Sequence, residues 1–489
     1  MIAHSVEDPL YYLHNFRQVL GWVAQRYHDL LDESEQAFLI AFERLPQPAQ
    51  ALLVRMVMRK GEAKADLLLQ LQALQLEPRP LSQWFAGFDV KVIHWRLQPL
   101  CDRLRLLFFG NLYQDWSDFV LADTGVLRFE KVPFSDDSRA LRKRAEVDLA
   151  MALHHCAERL EQGEAPATLL AELDGLHSDN PWLARRRSRL LFSVGQHCER
   201  LAEWELALAV YEQSRHPEAR IRQVRVHERS EQWSRAHTLA EQMASAPANP
   251  LETQALARML PRLARKLGGP PTPRRRAGAV TLLELELPAE MAALGVERAV
   301  QEHLAQEGGS VHYVENTLFN SLFGLLCWEP IFAPVTGAFF HPFQSAPQDL
   351  HDADFRERRS ALFASCLGRL DDASHGELIR ACYQAKYGLQ SPFVFWSMLP
   401  AELLELALSC LPAMHLKQCF LRLLQDIRNN RTGMPDLIQF WPEQGSYRMI
   451  EVKGPGDRLQ DNQLRWIEFC REHGLPVTVC HVRWAAAQA

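Results

Sequence analysis

Gly433-Met-Pro-Asp436-Leu-Ile-Gln-Phe-Trp441-Pro-Glu-Gln-Gly-Ser446-Tyr-Arg-Met-Ile-Glu451-Val-Lys453-Gly-Pro455 is the stretch that decides the fold of the C-terminal part of this chain. Residues 436–441 are apolar and β-prone, 442–446 carry turn chemistry, and 447–453 read as a second strand. Positions 436 and 451 are equidistant from a turn centred between residues 443 and 444. An antiparallel hairpin therefore sets Asp436 opposite Glu451, roughly 5 Å apart. Side-chain alternation puts Met449, Glu451 and Lys453 on one face and Ile450 and Val452 on the other. Pro435 fits the start of a strand, where its missing N–H does no harm. The pattern predicts two carboxylates and an ammonium converging above a strand that Ile450 and Val452 anchor in a core.

The residue types set the chemistry. Hard oxygen ligands suit Mg²⁺ or Mn²⁺, and two carboxylates leave coordination positions for a backbone carbonyl, water and phosphate. A cation held this way lowers the pKa of bound water and stabilises the transition state of phosphodiester cleavage. A second ion about 4 Å away would bind the leaving oxygen. Lys453 would orient the attacking water or neutralise charge on the phosphate. Glu-x-Lys alone also occurs on solvated faces of amphipathic edge strands. Gly-Met-Pro-Asp, the matched spacing, the Gly-Pro after the lysine and a helix carrying Gln463 are what point to a nuclease.

Arg431-Thr-Gly-Met-Pro-Asp-Leu437, Glu451-Val-Lys-Gly-Pro-Gly-Asp-Arg-Leu459, Gln463-x-x-Trp466 and Val479-Cys-His-Val482 resemble the VRR-NUC nuclease domain of the PD-(D/E)xK superfamily. More narrowly they resemble the Fanconi-associated nuclease family, including its bacterial members. The run from Val314 to Trp328 resembles that family's helix with a further catalytic glutamate, here Glu315. Tyr11–Phe16 with Leu52–Gly61 resembles its N-terminal DNA-binding region, so the resemblance spans most of the chain. It implies Glu315, Asp436, Glu451, Lys453 and Gln463 as catalytic residues. Glu315, Asp436, Glu451 and the Val452 carbonyl would be the ligands of two Mg²⁺ or Mn²⁺ ions.

The resemblance also implies a structure-specific preference for 5′ flaps, 5′-to-3′ exonuclease action and a role in interstrand crosslink repair. There are two departures from the family pattern. Val482-Arg483 is followed by Trp484, so the naming arginine pair is incomplete, and no paired-cysteine ubiquitin-binding zinc finger is present. The alternatives are a four-way-junction nuclease with the same core and a catalytically silent DNA- or protein-binding scaffold. The intact Asp436, Glu451 and Lys453 set argues against decay. From the residues alone Glu315 stays open, because a carboxylate at a helix start also suits the macrodipole.

At 489 residues and 47% hydrophobic content the chain supports several domains with sizeable cores. A formal net charge of −6 excludes a protein coated in basic surface, so positive charge for nucleic acid must be local. Ten cysteines without CxxC pairing and no apolar run long enough to cross a membrane point to a reducing, soluble compartment. That compartment is the cytoplasm in a bacterium and the nucleus in a eukaryote. Cys327 and Cys470 fall in apolar helical patterns and read as core. His312, His341 and His351 form no convincing ligand set.

Along the chain, residues 1–130 read as an N-terminal helical, SAP-like DNA-binding region. Arg55, Arg59 and Lys60 there are either phosphate contacts or the solvated side of a helix. Residues 131–266 give helix after helix, with spans near 182–200, 204–213, 219–230 and 233–244 that resemble degenerate tetratricopeptide units. Such a solenoid takes a protein partner or forms a wall along DNA. Arg185, Arg186, Arg187, Arg189, Arg220, Arg222 and Arg225 are either backbone contacts or a salt-bridged exterior. Residues 267–279, rich in Gly, Pro and Arg, read as a linker. The last segment, 280–489, reads as a mixed α/β nuclease domain with its helical lead-in, starting with a strand at Thr281–Leu287. Arg431, Asp457 and Arg458 are further candidate DNA contacts. Lys386 and Lys417 are candidates without a spacing argument.

Overall fold

Asp32 opens the helix Glu33–Arg44 with a capping box. Its carboxylate accepts the Glu35 amide at 2.9 Å, while the Glu35 side chain returns to the Asp32 amide at 3.0 Å. This satisfies two of the N–H groups that a helix start leaves bare. The same Glu35 is fully buried and ion-paired with Arg103, and with Arg144 at 2.6 Å. This helix joins Tyr11–Tyr27, Gln47–Met58 and Gln98–Phe109 in one unit whose interior includes Leu13, Phe16, Val23, Phe42, Val54 and Leu104.

The computed structural model describes residues 10–58, 97–114, 116, 127–270, 280–306 and 308–485. Its contacts define that first unit, which runs to residue 128 and includes 135–155 and 340–344, and a second unit holding the rest. Arg59 and Lys60 lie outside the described residues.

In the second unit the helices Pro181–Arg200, Trp204–Gln213, Ala219–Arg229, Trp233–Ser245 and Pro250–Lys266 pack each against the next. The first four match the expected spans to within one residue at each end. Their turns repeat: Ala202 and Glu231, each two residues before a tryptophan, take left-handed φ values of 59° and 60°. The hairpin partners approach closely at Gly195, where a Cβ would lie 2.6 Å from the Tyr211 ring.

The sheet has five strands: β1 (Thr281–Leu287), β2 (Ser310–Tyr313), β3 (Leu437–Trp441), β4 (Ser446–Lys453) and β5 (Val477–Trp484). Their order is β1-β5-β4-β3-β2. The β2–β3 and β3–β4 pairs are antiparallel, and β4–β5 and β1–β5 are parallel. In the hairpin Leu437 pairs with Ile450 and Trp441 with Ser446, the register expected from the turn. One face carries Leu437, Ile450 and Val452 onto Val300 and Leu304 of the helix Val296–Gln306. The other carries Ile438, Phe440 and Met449 into a larger core with Phe323, Phe420 and Trp466.

The solenoid and the sheet fall in one unit. Polar contacts join them: Arg258 pairs with Asp461, and Gln254 donates to the Asp461 carbonyl at 3.2 Å. Arg465 also donates to Gln254 at 2.5 Å. Residues 271–279, most of the expected linker, lie outside the described residues.

Candidate active site

β4 runs through the middle of the sheet, so its side chains have neighbouring strands on both sides. Glu451 is fully buried, and Lys453 and Asp436 are 8% and 7% exposed. Asp436 stands just ahead of β3 and opposite Glu451. Its Oδ2 accepts the Val452 amide at 2.8 Å, and its carbonyl accepts the Val314 amide at 2.9 Å. Lys453 Nζ lies 2.7 Å from Glu451 Oε1. That close ion pair is off the direction of an aligned hydrogen bond, and Glu451 Oε2 has no hydrogen-bond partner among the described residues.

Burial is the main force on both acids. It pushes Asp436 up to about 6, against the opposing pull of the Val452 amide and Lys453. Burial and the neighbouring Asp436 charge push Glu451 up to about 7, against the pull of Lys453. Two carboxylates held this close in low dielectric call for a cation.

Glu315 sits between β2 and the helix Leu318–Leu326 and adds its field to both acids. Its Oε2 accepts the Tyr313 hydroxyl at 2.5 Å and its Oε1 accepts Asn316 Nδ2 at 3.1 Å. Asn316 has φ +53°, a conformation asparagine tolerates better than most residues, and its Oδ1 accepts the Met434 amide at 3.1 Å. Among the described residues no three His, Cys, Asp or Glu side chains come together as a ready-made metal cage.

Several sequence candidates have other partners. Gln463 Oε1 accepts the Gln460 amide at 2.8 Å in the capping box of the helix Asp461–Glu472. Asp457 accepts the Gly454 amide at 3.0 Å and closes the turn after Lys453, beside exposed Arg458. Arg431 is half-buried and donates to the Pro392 carbonyl at 2.8 Å. The guanidinium groups of Arg55 and Arg186 lie 5.0 Å and 4.0 Å from the ring centres of Tyr12 and Trp182.

Other basic residues are ion-paired. Arg185 and Arg189 meet Asp352 at 2.8 and 2.5 Å, and Arg222 meets Glu199 at 3.4 Å. Lys386 and Lys417 hold Glu130 and Asp371 at 2.7 and 2.5 Å. The salt-bridged exterior thus accounts for much of the basic solenoid surface. His341 stacks on Phe108 and is pushed down to about 3 by burial, a core histidine.

Two residues at the site left no signal in the spacing. Tyr313 ends an ordinary strand. Glu297, in the first turn of Val296–Gln306, passes for a helix-dipole partner, yet its charge reaches both Asp436 and Tyr313. The neighbouring Val296 methyls lie 3.7 Å from where a Cβ on Gly454 would stand.

Comparison with known proteins defines the class. Residues 371–484 match the VRR-NUC domain, and residues 10–74 match the family described as FAN1, HTH domain. The protein is a VRR-NUC nuclease, a DNA-cutting hydrolase. Over 98% of its length it is 51% identical to the Fanconi-associated nuclease 1 homolog of Pseudomonas aeruginosa, covering 97% of that protein. The chain belongs to the Fanconi-associated nuclease family.

It is also 34% identical over 36% of its length to Fanconi-associated nuclease 1 of Danio rerio, covering 18% of that protein. The crystal structure of paFAN1 bound to 2-nucleotide 5′-flap DNA with a gap superposes with a TM-score of 0.88 at 50% identity. That match covers 99% of this chain and 100% of the other. The corresponding complex with a 1-nucleotide 5′ flap gives 0.81, covering 98% and 100%.

The family implies a divalent cation. The residues present fit one: two buried acids side by side, one of them with an oxygen left without a hydrogen bond, and hard oxygen donors throughout. No helix among the described residues is long and apolar enough to cross a membrane.

Proposed function

We propose that this chain hydrolyses DNA phosphodiesters at 5′ flaps, with Glu315, Asp436, Glu451 and the Val452 carbonyl as ligands of two Mg²⁺ or Mn²⁺ ions. The bound cations supply Lewis acidity toward water and the phosphate. The chain's own residues do the rest. Asp436 and Glu451, fixed by the hairpin register, hold negative charge where burial makes it unfavourable without a counterion. The Val452 amide fixes the rotamer of Asp436. Lys453 places an ammonium beside Glu451, within reach of a phosphate oxygen or the attacking water. Gln463 uses its oxygen in the helix cap, which leaves its amide group to donate toward that water.

The observation that carries this reading is the buried Asp436, Glu451 and Lys453 set on a central strand, in a chain alike over its full length to a nuclease crystallised on 5′-flap DNA. Cleavage of 5′ flaps, 5′-to-3′ exonuclease action and service in interstrand crosslink repair go together in this proposal. The enzyme works where the DNA is, at the nucleoid of a bacterial cell or in a nucleus.

The test is cleavage of end-labelled 5′-flap, 3′-flap, four-way-junction and plain duplex DNA with Mn²⁺, Mg²⁺ or EDTA. Cuts near the 5′-flap junction are expected with either metal, and none with EDTA. Asp436→Ala should abolish cutting and retain DNA binding. Cutting by Asp436→Ala at the wild-type rate would overturn the site, and preference for another substrate would overturn the flap assignment.

A further inference from the structure

Tyr313 ends β2 two residues before Glu315, and its hydroxyl donates to Glu315 Oε2 at 2.5 Å. Asn316 Nδ2 holds the other oxygen at 3.1 Å. With one donor on each oxygen the carboxylate is held against rotation, while each oxygen keeps further acceptor capacity. The backbone on either side is fixed too: Tyr313 pairs with Leu437 in the sheet, and Val314 donates to the Asp436 carbonyl at 2.9 Å.

We propose that Tyr313 is a positioning residue of the metal centre, its hydroxyl setting the rotamer in which Glu315 is presented to the cation held by Asp436 and Glu451. This rests on Glu315 being a ligand. Tyr313 is 39% exposed, so packing alone does not explain a tyrosine there. Partners that orient a metal ligand are typically worth about 10–100-fold in metal affinity or activity.

The experiment is Mn²⁺ binding to the full-length, DNA-free protein, by calorimetry and by the electron paramagnetic resonance signal of free Mn²⁺. Wild type, Tyr313→Phe, Glu315→Gln and the double variant are compared, with metal-free melting curves to establish that each is folded. Tyr313→Phe keeps the ring and should bind Mn²⁺ about tenfold more weakly. Glu315→Gln should lose at least as much, and the double variant should lose no more than Glu315→Gln alone. Adding Mn²⁺ should give a tyrosine ultraviolet difference signal in wild type that Tyr313→Phe lacks.

Wild-type affinity in Tyr313→Phe beside a loss in Glu315→Gln would overturn the role of Tyr313 and leave the ligand reading standing. Wild-type affinity in Glu315→Gln would overturn that reading and the inference with it. Additive losses in the double variant would also overturn the inference, because Tyr313 would then act apart from Glu315.

Discussion

Asn320, 1% exposed on the helix behind Glu315, donates to the carbonyl of Arg431 at 2.8 Å and to that of Asn316 at 2.7 Å. One amide thus ties the loop that presents Glu315 to the loop that leads into Asp436. Asn320→Leu keeps the branched outline, in a bulkier side chain, and leaves both carbonyls without this donor. It should cost about 2–4 kcal/mol in urea unfolding and lower cleavage at saturating Mn²⁺. Wild-type cleavage in a destabilised Asn320→Leu protein would mean that the tie does not register the two loops.

Gly433 holds the same loop from the other side. Its φ is +88°, and a Cβ there would stand 2.7 Å from the Asn462 backbone carbon. Gly433→Ala therefore combines backbone strain with a clash, and either Asp436 or the start of the Asp461–Glu472 helix must move. A loss of about 2–4 kcal/mol is expected, with cleavage reduced at least as strongly as in Asn320→Leu. A variant that melts and cuts like wild type would contradict this close approach.

The two buried acids make metal-free stability depend on pH. Asp436 and Glu451 have folded pKa values of about 6 and about 7, above their unfolded values near 4. The folded state therefore holds these protons more tightly. The stability this contributes is fully present below the unfolded values and is lost as pH rises through 6 to 7. In EDTA at pH 8, Asp436→Asn and Glu451→Gln should melt about 2–4 °C above wild type, and the gap should shrink toward pH 5. Saturating Mn²⁺ should reverse the order, because the intact site binds it better. Calorimetry at the two pH values decides, and a gap independent of pH would rule the explanation out.

Burial also separates two ion pairs by their expected worth. Arg258 and Asp461 are both about half exposed, so Asp461→Ala should cost no more than about 1 kcal/mol. Asp349 is 2% exposed and accepts from Arg358 at 2.6 Å and from the buried Arg359 at 2.8 and 2.9 Å. Asp349→Ala leaves a buried guanidinium without its counterion and should cost about 3–5 kcal/mol. Chemical denaturation of both variants measures the difference. Equal costs would show that burial does not set the worth of these pairs.

What the sequence made legible was local. The hairpin register, with Leu437 on Ile450, follows from the turn position and the two-residue period, and both lie within twenty residues. The solenoid helices were legible from their lengths and the turns between them. Glu315 needed family resemblance, since its approach to Asp436 depends on β2 joining the sheet beside β3. Asn316, Asn320 and Glu297 act on residues far along the chain, and such contacts impose no period. Tyr313 acts on Glu315 only two residues on, from the end of a strand whose pattern is ordinary. The basic candidates failed to stand out for a different reason: Arg185, Arg189 and Arg222 look alike in sequence whether an aspartate, a glutamate or a phosphate faces them. Their acidic partners, Asp352 and Glu199, are identifiable only in the fold.

The parallel seam between β5 and its neighbours sets an order of assembly. β1 and β4 both pair with β5, which begins at Val477, so neither can complete its hydrogen bonding until that segment has left the ribosome. Until then β4, with Glu451 and Lys453, lies along an open edge, and β1 waits nearly two hundred residues for its partner. Pairings this distant form late and slowly. A nascent chain therefore leaves β4 unpaired along that side until synthesis has passed the last strand.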